Sequence, residues 1–82
     1  MSEANALNNL EKNEVYLKQN FDHLLSIYKD KWVLVHEEKV VGSFDSYAVA
    51  ANTGVRQYGL YSGFLVEQIT EKYTTIFAVT AI

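Results

Sequence analysis

Strand, tight turn, strand, capped helix, glycine stop and strand follow one another between Lys31 and Ile69 with almost no spare residues. Residues 32–36 are rich in aromatic and β-branched side chains and predict a strand. Trp32 and Leu34 lie on one face of it, Val33 and Val35 on the other. A half-exposed strand alternates apolar with polar residues, so a strand that is apolar on both sides implies a central place with cover above and below. Glu37 and Glu38 turn the chain, and residues 39–44 return. Neither glutamate suits a primed two-residue turn, which needs positive φ at both centres, so a longer or irregular loop is expected. Asp45 and Ser46 are both candidate N-caps for a helix over 46–58. Tyr47, Ala51, Val55 and Tyr58 form one face of that helix, with Ala48, Ala50 and Gly54 beside it. Glycine weakens a helix interior, and close approach to the sheet is the reason expected for Gly54. Gly59 is expected to stop the helix as a left-handed residue, with Leu60 as the apolar contact behind it. Strands over 64–69 and 73–80 then make a second hairpin.

The segment before this carries a helical stripe. Leu7, Leu10, Leu17, Phe21, Leu24 and Tyr28 recur at three- and four-residue steps, and Glu14 occupies the one slot where the stripe lapses. Val15, Leu25 and Ile27 widen the apolar face, while Glu11, Lys12, Lys18 and Asp22 line the polar one. Asn20 could cap a second, shorter helix. The stripe keeps phase across it, so one helix over about 5–28 is expected. Its apolar face either packs on the sheet or overhangs it to meet a second copy. These elements predict a single α+β domain over residues 1–82, a two-layer sandwich in the order α-β-β-α-β-β. Its sheet is four-stranded and mostly antiparallel, with two helices. Trp32, Leu34, Val40, Ala51, Val55, Leu65 and Ile69 are the expected core.

Chemistry is sparse in this chain. There is no cysteine, which excludes disulfides, thiolate metal sites and cysteine nucleophiles. A net charge of −3 without a basic stripe gives nucleic acid no electrostatic attraction. No apolar run reaches membrane-spanning length, and residues 1–14 lack the apolar segment of a signal peptide, so a cytoplasmic protein without a membrane partner is expected. His36 stands beside Glu37 and Glu38, but neighbouring strand residues point to opposite faces and cannot all converge. His23 is the other histidine, on the first helix. No metal-ligand spacing, phosphate loop or nucleophile elbow is present, and Asp45-Ser46 and Ser62-Gly63 read as cap and loop. No catalytic, metal or cofactor-binding residue is therefore assigned.

Several short motifs are nonetheless similar to a known pattern. Tyr28 leads a turn into Lys31-Trp32-Val33, Val40-Val41-Gly42 follows, and Asp45-Ser46 opens a helix. Gly54, Tyr58-Gly59 and Phe64-Leu65-Val66 complete it. About half of the chain thereby resembles the DUF5678 group of small bacterial domains of unknown function. Similar members carry glycine where Asp30 stands and proline where Gly63 stands. The resemblance implies a small stand-alone domain and brings no activity, cofactor or site residues.

Aromatic residues make up 13% of the chain, more than so small a core can enclose. Tyrosine and tryptophan are favoured at interface hot spots. Tyr58, Tyr61, Phe64, Tyr73, Ile76 and Phe77 are accordingly the candidate interface, and the charge-free strand near the C-terminal end would be an unprotected pairing edge. The expected function is a non-catalytic protein–protein interaction or accessory module that associates with itself or with a protein partner. The alternative is a small-molecule-binding or hydrolytic domain, with a shallow pocket near residues 59–64 and His36 at its rim.

Overall fold

A computed structural model describes residues 3–71 and 76–78. Three helices, α1 (Glu3–Gln19), α2 (Phe21–Tyr28) and α3 (Tyr47–Tyr58), accompany strands β1 (Trp32–Val35), β2 (Val40–Phe44), β3 (Leu65–Gln68) and β4 (Ile76–Ala78). The strands lie in the order β2-β1-β3-β4, and every neighbouring pair is antiparallel. In register, Leu34 sits opposite Val66, and Val33 opposite Glu67.

This corrects the expected two-helix, four-stranded, two-layer sandwich. The body of the sheet is β2-β1-β3, and only three residues, Ile76–Ala78, pair along the far side of β3. The rest of the expected strand over 73–80 lies outside the described residues. Helices cover both faces rather than one. Leu17 and Leu24 pack with Val33, Val35, Leu65 and Ile69 on one face. Ala50 packs with Leu34, Phe64 and Val66 on the other. Two-sided cover is what the doubly apolar β1 requires, and it makes three layers. Of the expected core, Leu34, Leu65 and Ile69 are fully buried, whereas Trp32, Val40, Ala51 and Val55 pack as partly buried flanks.

The expected single N-terminal helix breaks at Asn20. Backbone bonding nearly continues through the break, with Asn20 N donating to Tyr16 O at 3.1 Å and Leu24 N donating to Asn20 O at 2.9 Å. The asparagine side chain does not cap α2. Its Nδ2 donates back to Tyr16 O at 2.8 Å, a second bond to the carbonyl that accepts from its own backbone N–H. Leu10, Leu17, Phe21, Leu24 and Tyr28 therefore stay on one face of one core despite the kink. Leu7 leaves the stripe, 57% exposed, and Ala6 takes the buried place beside it. Val15 and Ile27 also face outward.

Ser46, not Asp45, caps α3. Its Oγ accepts from Val49 N at 3.2 Å, and Asp45 reaches across to Lys31 Nζ. Substituting Ser46→Ala is expected to cost about 1 kcal/mol. A calorimetric melt should fall by roughly 4–8 °C, and an unchanged melting temperature would show that the cap contributes nothing. Gly54 is buried directly over Phe64, where an added Cβ would sit 2.6 Å from a ring carbon. The close approach expected there is present, and only hydrogen at that position lets α3 settle on the ring. Gly59 ends the helix at positive φ, 85° with ψ 164°, and its N–H donates to Val55 O at 2.9 Å, so the expected glycine stop is present, while Leu60 stands 41% exposed.

Candidate functional site

The β1–β2 hairpin is tighter than its sequence suggests. His36 N donates to Lys39 O at 3.0 Å, so Glu37 and Glu38 alone form the turn, with φ 53° and 60°. Positive φ at both centres is the signature of a type I′ turn, which normally uses asparagine and glycine. A side chain in this region costs about 1–2 kcal/mol per residue, so the surroundings must hold the turn in place.

α1 supplies the hold. Asn13, 1% exposed, accepts from Glu38 N through Oδ1 at 2.9 Å and donates from Nδ2 to Gly63 O at 3.0 Å. One turn earlier, Asn9 Nδ2 donates to Ser62 O at 3.1 Å. The four-residue spacing puts both amides on one side of the helix, so a single helix edge binds the hairpin tip and the loop before β3. Asparagine is a poor helix former, and its side-chain hydrogen bonds here offset that cost. The loop comes close enough because Gly63 adopts φ 81°. That angle is closed to proline, whose φ is fixed near −65°, so the loop takes a different path from the one the resemblance implies.

A cleft of about 330 Å³ lies at this junction, lined by Asn9, Lys12, Asn13, His36, Glu37, Glu38 and Ser62. A shallower groove along α1 continues from it through Asn8, Glu11 and Val15, sharing Lys12 and Glu38. Much of the cleft's polar lining is already engaged. Ser62 Oγ donates to Gly59 O at 3.1 Å, and the His36 ring stacks on Tyr58 with centroids 3.7 Å apart and planes 13° from parallel. Glu37, Glu38 and Lys12 are exposed and give the mouth mixed charge. His36 and Ser62 thus meet at one cleft, at the place where the alternative reading put a pocket near residues 59–64 with His36 at its rim, while His23 is exposed elsewhere on α2. No group of three or more acidic, histidine or cysteine side chains able to hold a metal occurs among the described residues.

The candidate interface residues that are described do not lie together. Tyr58 and Tyr61 lie at the cleft end, with Tyr61 44% exposed. Phe64 is a correction: it is fully buried beneath Gly54, because the helix–sheet gap there has room for one large ring. Ile76 and Phe77 belong to β4, on the far side of β3 from the β1–β2 hairpin. Tyr73 lies outside the described residues.

The reading of residue types also passed over Glu67. It sits on β3 facing α1 with no exposed surface, and neither carboxylate oxygen has a hydrogen-bond partner among the described residues. Burial, reinforced by the negative charge of Glu14, pushes its pKa up from 4.5 to about 7, against a smaller opposing pull from Lys18. The signal was available in the sequence, as the lone charged residue of the strand and a second acid at the gap in the helical stripe.

Comparison with family models, with curated proteins and with solved structures returned no match. The likeness to the DUF5678 group therefore stands on the quoted motifs alone. Among the described residues, no helix is long and apolar enough to cross a membrane.

Proposed function

We propose that the chain is a non-catalytic interaction module that binds a protein surface, a second copy of itself included, at the cleft end of the sheet. One observation carries this reading. Val15 lines the groove that continues from the cleft along α1, and the loop leading to Ser62 carries Leu60 and Tyr61; the three are 41–52% exposed, beside a polar floor whose amides are engaged in structure. Exposed apolar side chains gathered beside a rigid concavity are the material of a contact surface, and a preorganised surface loses little entropy on binding. Sedimentation velocity over a concentration series is expected to show reversible dimerisation. The double substitution of Leu60→Ser and Tyr61→Ser should weaken it by at least about tenfold, roughly 1.4 kcal/mol, without lowering the melting temperature. A single species of monomer mass at high micromolar concentration would count against self-association.

A second reading is favoured by the cleft itself. Its volume and its mouth of Lys12, Glu37 and Glu38 suit a small zwitterionic ligand. Such a ligand should raise the melting temperature of the native chain and not that of His36→Ala, and a screen in which neither shifts would remove this reading.

A further inference from the structure

We propose that α1 is a proton-responsive cover, which seats on the sheet while Glu67 is neutral and loosens when Glu67 ionises, moving one wall of the cleft with it. The geometry is specific. Glu67 is completely enclosed, and both of its oxygens lack partners among the described residues. A neutral carboxyl tolerates such a site far better than a carboxylate does. The groups facing it can be named element by element. α1 brings Glu14, half-buried, and Lys18, exposed. β1 presents Val33 across the register, and Ile76 is the register partner on β4. α2 adds Leu24 to the same apolar cluster. Among the described residues, only Lys18 could neutralise an anion here, and Glu14 opposes it.

Ionisation therefore has a limited set of responses, and admitting water by lifting α1 needs the least rearrangement. The kink at Asn20 separates α1 from α2 and supplies a pivot. The same helix holds the hairpin tip and the 62–63 loop through Asn9 and Asn13. Lifting it would slacken both segments together. Protonation at the sheet is in this way coupled to the shape of the cleft, through one bistable element rather than a chain of contacts. The proposal does not depend on what the cleft binds.

Amide hydrogen exchange of the whole chain between pH 5.5 and 8.5, corrected for intrinsic chemistry, tests it. Protection of α1 should fall by at least about tenfold across this range, beyond any change in α3. Glu67→Gln should flatten the α1 profile. Should that variant not fold, Glu14→Gln serves, because removing the opposing charge eases ionisation of Glu67 in place and should shrink the fall in α1 protection. Equal changes in α1 and α3 would overturn the proposal, and so would a wild-type profile in whichever of these variants is measured.

Discussion

Replacing Gly63 by alanine is expected to cost the domain about 3–5 kcal/mol, the sum of backbone strain and the loss of several contacts. The residue sits at φ 81°, a region an alanine enters only under strain. Space is the larger obstacle. The added Cβ would run into the carbonyl oxygen of Ala6, and it would lie 2.8 Å from Asn9 Cβ and 3.0 Å from Leu10 N. Two of these three atoms belong to the backbone of α1, so no side-chain rotation relieves the clash. The helix must shift, and with it go the bonds from Asn9 to Ser62 O and from Asn13 to Gly63 O. Domains of this size have roughly 5–15 kcal/mol in total, so the loss should be plain in urea denaturation as a lower midpoint. Gly59→Ala is the control: φ is 85° there too, but no atom lies within 4 Å of the new Cβ. If the two variants lose equal stability, backbone strain alone explains both and the contact between loop and α1 is unimportant.

The element order was legible because local signals agreed with the fold. β1 announces its burial on both faces, Ser46 its cap, and Gly54 its closeness to the sheet. What the sequence did not show was decided by tertiary contact. The pair Glu37 and Glu38 argues against a primed turn on propensity alone, yet Asn13 Oδ1, 25 residues away, fixes the amide of Glu38 and holds it. The break at Asn20 was hidden because hydrophobic phase is a property of packing, and α1 and α2 pack into one core. Two layers were expected although β1 asked for three, since the cover on the second face comes from a separate helix on another part of the chain.

Of the cleft, the 59–64 loop and the His36 rim were legible, and the α1 wall was not. His36 and Ser62 stand on different segments, and Asn9 and Asn13 pass for ordinary polar residues of an exposed helix face. Their spacing of four, in a helix otherwise unsuited to asparagine, was the available clue. The aromatic excess pointed to an interface, but it could not separate Phe64, which fills the core, from Tyr61, which projects from the loop.

Wild-type stability is expected to fall by about 3 kcal/mol as pH rises from 4.5 through 7, and Glu67→Met should abolish that fall. The sign follows from linkage. In the unfolded chain Glu67 loses its proton near 4.5, whereas in the folded chain it keeps the proton until about 7. Below the lower value both states are protonated and stability is at its fullest. Between the two values the native state binds more protons than the unfolded one, so each rise in pH favours unfolding. Above the upper value both are ionised and the loss is complete. Asp45 acts in the opposite sense and outside this window: the hydrogen bond and charge of Lys31 hold its carboxyl below the ordinary value of 3.8, which favours the folded state above that pH and is lost only in stronger acid. Methionine nearly conserves the volume of glutamate and needs no hydrogen bond, so Glu67→Met should exceed the wild type at pH 8 and match it more closely at pH 4.5. Glu14→Ala should give a smaller gain at neutral pH by removing the charge that opposes ionisation of Glu67. Chemical denaturation at five or six pH values decides the matter. A wild type as stable at pH 8 as at pH 5, or a methionine variant with the same slope, would mean that Glu67 finds solvent or a partner in the folded chain.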